Sequence, residues 1–126
     1  MSVRVFLVDD SLTFMAAVRR FLEALPGVLI VGESNDGEEA LKSIRNALPD
    51  LVLLDMAMPG VGGLEVARNL QLISPPPRVV FLSMHEAACY DAIAKEVGAT
   101  NYIHKPDFVV QLLPIIEKMI AEDAVH

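Results

Sequence analysis

The sequence reads as an α/β protein: an open, doubly wound sheet of five parallel strands with five helices on its two faces. Three observations carry that reading. Short apolar runs alternate with segments of helical period along the chain, the pattern of repeated strand–helix units. The runs Val5-Phe6-Leu7-Val8 and Leu51-Val52-Leu53-Leu54 are apolar on both sides, as strands covered on both faces require. Proline and glycine punctuate the joins, at Pro26-Gly27, Pro49, Pro59-Gly60, Ser74-Pro75-Pro76-Pro77 and Gly98.

Each element has a local reason. Residues 3–9 form the first strand. Ser11 can cap a helix whose apolar positions Met15, Val18, Leu22 and Leu25 recur at about helical period. Val28 to Gly32 is the second strand. Asp36 can cap a second helix with Leu41, Ile44 and Leu48 on its inner face, ended by Pro49. Leu51 to Leu54 is the third strand, and the turn from Met58 to Gly63 leads to a helix carrying Val66, Ala67, Leu70 and Ile73. Val79 to Leu82 is the fourth strand. Residues 86–97 read as a fourth helix, alanine-rich, with only Ile93 and Val97 as large aliphatic anchors and Gly98 as its stop. Residues 100–103 make a short fifth strand, and a last helix runs from about Val109 to Glu122. Pro114 falls inside that helix, so it either starts later or kinks; a later start or an irregular first turn is preferred. There is no repeat, linker or low-complexity segment, so one domain spans residues 1–126.

Composition narrows the function. A chain of 126 residues, 53% hydrophobic, can build one sizeable core. A net charge of -7 with no basic cluster argues against direct nucleic-acid binding. Cys89 is the single cysteine, so no internal disulfide forms; it reads as a packing residue rather than a reactive thiol. The apolar stretch after Met1 is too short for a signal peptide, and no run has the length of a membrane span. A cytoplasmic location is expected, with no membrane partner.

The polar residues at the strand ends carry the chemistry. Asp9-Asp10 close the first run, Asp55 the third strand, Ser83 the fourth, and Lys105-Pro106 follow the fifth. In open parallel sheets, ligands bind beyond the carboxyl ends of the strands, where strand order reverses. Three carboxylates gathered there repel, and one stays protonated unless a cation joins them. A hard divalent ion such as Mg²⁺ takes one or two carboxylates plus a phosphate. Lys105 adds a movable positive charge, Ser83 a short hydroxyl, and an aspartate can accept a phosphoryl group covalently. The set reads as a metal-assisted phosphoryl acceptor. Plainer readings weigh less when the residues are taken together: Asp9-Asp10 and Ser83 as helix caps, Lys105 as a solvated lysine, Tyr102 as core, His85 as an edge residue. No His/Cys cluster suggests a transition metal, and Gly60-x-Gly62-Gly63 lacks the spacing of a dinucleotide loop.

Five stretches in order, Val8-Asp9-Asp10-Ser11, Leu53-Leu54-Asp55-Met56-Ala57-Met58-Pro59-Gly60, Leu82-Ser83-Met84-His85, Gly98-Ala99 and Tyr102-Ile103-His104-Lys105-Pro106, resemble the receiver (REC) domain of bacterial two-component response regulators over essentially the whole chain. The resemblance implies a flavodoxin-like sheet of order 2-1-3-4-5. It implies Asp55 as phosphoacceptor, with Lys105 and Ser83 assisting. Asp9, Asp10, Asp55 and the backbone carbonyl of Ala57 would hold Mg²⁺ (or Mn²⁺), Asp10 directly and Asp9 through water. Ser83 and Tyr102 would be the switch pair, and Pro106 would follow a cis peptide bond. The implied partner is a sensor histidine kinase or phosphotransfer protein. The implied output surface is that of the fourth helix, fifth strand and fifth helix, which a second copy of the chain would also use. Such a domain catalyses only its own phosphorylation and dephosphorylation, either standing alone or preceding a helix-turn-helix domain.

The chain departs from the family at Ala57, where many receivers carry a polar residue, at His85, and at Gly62. Competing readings are less well matched. A haloacid-dehalogenase-type phosphatase would want Asp-x-Asp after its first strand, but Asp55 is followed by Met56-Ala57. A flavin binder would want a hydroxyl-rich loop where Asp9-Asp10 stand. A degenerate receiver would lack part of the site set.

Overall fold

The computed structural model describes residues 2–58, 60–84 and 101–125, with the backbone alone for 123–125. Five strands form one sheet: β1 (Val3–Val8), β2 (Val28–Ser34), β3 (Leu51–Asp55), β4 (Arg78–Ser83) and β5 (Asn101–His104). Their order is β2-β1-β3-β4-β5, and every pair is parallel. The expected flavodoxin-like order is therefore present, and it places the reversal of strand order between β1 and β3.

The number of helices is corrected. Among the described residues there are four α-helices, not five: α1 (Leu12–Glu23), α2 (Gly37–Ala47), α3 (Gly63–Leu70) and α4 (Phe108–Val125). The fourth helix expected over residues 86–97 falls outside the described residues. Ahead of α4, Lys105–Asp107 form a 3₁₀ turn.

Strand alternation sorts the core into two layers. Val5, Leu7, Leu51, Leu53, Val80, Leu82 and Ile103 pack with Met15, Val18 and Leu22 of α1 and with Leu112, Ile116 and Met119 of α4. Phe6, Val8, Val52, Leu54, Val79 and Phe81 pack on the other face with Ala40 and Ile44 of α2 and Val66, Ala67 and Leu70 of α3. Side chains of period two thus meet helices on both faces, which is why β1 and β3 lack polar alternation.

Caps set the helix starts. The Ser11 hydroxyl accepts from the Phe14 N–H at 3.2 Å, and Asp36 Oδ1 accepts from Glu38 and Glu39 N–H at 2.8 and 3.1 Å. Gly63 opens α3 because nothing larger fits: a Cβ there would lie 2.4 Å from the Asp55 carbonyl oxygen. That close approach clamps the start of α3 onto the end of β3.

Several finer expectations differ. Leu48 is not inward; it is the C-cap of α2 at φ 50 and is 64% exposed, because the chain turns left-handed there to reach β3. Ile73 and Leu25 lie past the ends of α3 and α1. Pro114 sits inside a continuous α4. It lies on the exposed side, where water can satisfy the carbonyl it leaves without a donor. The Lys105–Pro106 bond is not cis; the cis bond among the described residues joins Ser74 and Pro75. Pro106 instead occupies the first turn of the 3₁₀ helix, where its fixed φ fits and its missing N–H costs nothing.

Candidate functional site

Register brings the sequence-selected residues to one edge. The β1–β3 ladder ends with Val8 opposite Leu54, so Asp9 and Asp55 are the next residues on adjacent strands. Asp55 pairs with Leu82, one before Ser83, and Ser83 pairs with His104, one before Lys105. Alternation then decides direction. Asp9 and Asp55 share parity with Val5, Leu7, Leu51 and Leu53, and Lys105 with Ile103, all on the face covered by α1 and α4.

Asp9, Asp55, Ser83 and Lys105 are all buried, while Asp10 is exposed. One carboxylate oxygen from each of Asp9, Asp10 and Asp55 lies within 4.8 Å of the others. Lys105 Nζ stands 2.8 Å from Asp9 Oδ2 and 3.6 Å from Asp55 Oδ2. The first contact is one of charge rather than direction, since Asp9 Oδ2 accepts no hydrogen bond of good geometry. Asp9 Oδ1 accepts from the Ser11 N–H at 2.8 Å, and Asp55 Oδ1 from the Ala57 N–H at 3.1 Å. Both carboxylates are therefore fixed through one oxygen and present the other to the cluster.

The charges do not balance. Among the described residues three acids face a single ammonium, and burial pushes the Asp55 carboxyl up to about 6. The Ala57 N–H pulls it down, Asp9 pushes it up, Lys105 pulls it down and Asp10 pushes it up again. Hard oxygen donors from three acids, with one buried oxygen lacking a directed partner, fit a divalent cation.

Sequence reasoning missed the surroundings of Lys105. The Phe14 ring lies under its ammonium, 4.8 Å from Nζ to the ring centroid. The available signal was an aromatic residue in the first turn after the acidic pair. His104 falls on the opposite parity. Its Nδ1 lies 3.0 Å from Asp107 Oδ2 and its Nε2 3.0 Å from the Met84 carbonyl. Tyr102 is half-buried against the α2/α3 layer. His85 lies outside the described residues.

The family model for the response regulator receiver domain matches residues 5–117. The chain belongs to this family. It is 35% identical over 127 residues to the response regulator UvrY of Escherichia coli, covering 96% of this chain and 58% of that protein. It is 32% identical to the response regulator GacA of Pseudomonas aeruginosa, covering 94% of this chain and 56% of that one. The chain thus spans little more than half the length of these curated relatives. Among solved structures, the signal receiver domain of the NarL response regulator from Mycobacterium tuberculosis matches with a TM-score of 0.78 and 33% identity, covering 92% of this chain and 97% of that one. The response regulator domain of Thermotoga maritima CheB matches with a TM-score of 0.84 and 25% identity, covering 96% and 98%. No helix among the described residues is long and apolar enough to cross a membrane.

The folded receiver holds the Asp55 proton more tightly than the unfolded chain does, so stability falls as pH rises from about 4 to about 6 and then levels. Without divalent ions, Asp55→Asn is expected to be more stable than the parent at neutral pH by about 1–3 kcal/mol. It is also expected to lose most of that decline. Urea unfolding across the pH range checks both, and a variant with the parent's pH profile contradicts them.

Proposed function

We propose that this receiver accepts a phosphoryl group on Asp55 from a phosphohistidine of a sensor kinase or phosphotransfer protein, and that residues 1–126 act as one switch domain. The supporting observation is the meeting of Asp9, Asp10 and Asp55 within 4.8 Å, with the Lys105 ammonium at their edge. A carboxyl held near 6 is still mostly ionised at neutral pH, and it is more basic than an ordinary aspartate. That suits a nucleophile.

An Asp55 carboxylate oxygen attacks the phosphorus in line. The new O–P bond forms as the N–P bond to the donor imidazole breaks, and the imidazole leaves. Lys105 swings a short distance from Asp9 to the equatorial oxygens of the transferred group. Asp9 keeps the ammonium inside the site beforehand. Mg²⁺ or Mn²⁺, held by Asp9, Asp10, Asp55 and the Ala57 carbonyl, would neutralise the crowded carboxylates and the phosphoryl oxygens. Catalysis by the chain is then chiefly positioning and electrostatics.

Ser83, buried at the end of β4, is drawn to the phosphoryl group, and Tyr102 on the neighbouring strand moves into the space it leaves. The change is a shift between two packings of one fold. It is read on β5 and α4, where Val109 and Val110 are exposed. The output is either a partner bound there or a domain carried in the same polypeptide.

Treatment with acetyl phosphate and Mg²⁺ followed by mass spectrometry is expected to give a single phosphate-sized adduct that Asp55→Asn abolishes. An adduct that survives this substitution, or none on the parent, overturns the reading. Ala57 carries no polar group to orient an attacking water, so Ala57→Asn is expected to shorten the phosphoryl lifetime about fivefold, the worth of one hydrogen bond. An unchanged or longer lifetime, followed by loss of the adduct over time, counts against that role.

A further inference from the structure

We propose that Phe14 is a positioning residue for Lys105, its ring face holding the ammonium beside Asp9 and within reach of Asp55. This inference rests on the phosphoryl-accepting role of Asp55. Lysine is a compact charge on a four-carbon stem with several free torsions, so a buried ammonium needs more than one contact to stay in place. Among the described residues Lys105 has one close anionic contact, Asp9 Oδ2 at 2.8 Å, while Asp55 Oδ2 is at 3.6 Å, beyond a good hydrogen bond. The Phe14 ring, with its centroid 4.8 Å from Nζ, supplies a second attraction through the negative face of its π system.

The ring is itself fixed. Phe14 meets Phe108 edge to face at 5.4 Å and 75°, and Phe108 meets Phe21 in the same way at 5.8 Å and 89°. Phe108 lies three residues after Lys105, at the start of α4. The chain that carries the lysine is therefore locked to α1 by the same aromatic ladder that presents a ring to the tip of its side chain. A leucine at position 14 would fill the site between α1 and α4 but would offer the ammonium no π face. The distinction between packing and positioning is thus chemical and can be tested.

The test compares the parent chain with Phe14→Leu and Phe14→Tyr, with Phe14→Met standing in if the leucine variant does not fold. In lysine-labelled protein, the ε-methylene protons of Lys105 are expected to lie upfield of the other lysines through the ring current. That displacement should persist in Phe14→Tyr and vanish in Phe14→Leu. With acetyl phosphate and Mg²⁺, the phosphorylation rate is expected to fall about fivefold in Phe14→Leu. The tyrosine should restore the rate, with the Mg²⁺ concentration for half-saturation unchanged throughout. Ordinary Lys105 shifts in the parent, or a folded Phe14→Leu that phosphorylates at the parent rate, overturn the positioning role alone. A parent chain that shows the upfield shift but takes up no phosphate overturns the phosphoryl-accepting role and the inference with it.

Discussion

Three carboxylates share one corner of this molecule with one buried ammonium, and that imbalance organises the site. Asp9, Asp10 and Asp55 approach within 4.8 Å, and Lys105 sits against two of them. Such a cluster is costly in isolation, because burial and like charge both oppose ionisation. The cost is visible at Asp55, whose carboxyl is pushed up to about 6. A site under this strain favours whatever restores neutrality, which is the property a cation-dependent phosphoryl acceptor needs.

The rest of the fold holds that corner rigid. Period-two alternation sends Asp9, Asp55 and Lys105 to one face, and two apolar layers prevent any strand from slipping register. Backbone N–H groups of Ser11 and Ala57 each take one oxygen of Asp9 and Asp55, leaving the second oxygen for the cluster. Gly63 lets α3 start against the Asp55 carbonyl, so the loop beyond β3 has little room to shift. The site is thus carried on strand ends that the core fixes, rather than on free loops.

Much of this was legible in the residues, and the exceptions have physical reasons. The strands were plain because both faces of β1 and β3 are buried, which leaves uninterrupted apolar runs ending in charge. Ser11 and Asp36 announced their helices because a cap acts within three residues of itself. Leu48 misled because its apolar side chain suggested burial, whereas its backbone is needed left-handed to end α2. Pro114 misled because a proline inside a helix is disfavoured on average, yet its position on the exposed side of α4 lets water take up the freed carbonyl. The cis bond expected before Pro106 came from family likeness, while the local 3₁₀ turn accommodates that proline without it. The Phe14–Lys105 contact was out of reach, since it joins residues 91 positions apart and depends on how α1 packs against the start of α4.

The most direct measurement is an NMR titration of the Asp55 carboxyl carbon, first without metal and then with Mg²⁺. A midpoint near 6 in the metal-free protein, moving down when Mg²⁺ is added, is the expected result. A midpoint at the ordinary carboxylate value of about 4, unmoved by Mg²⁺, would show that no charge imbalance exists for a cation to resolve.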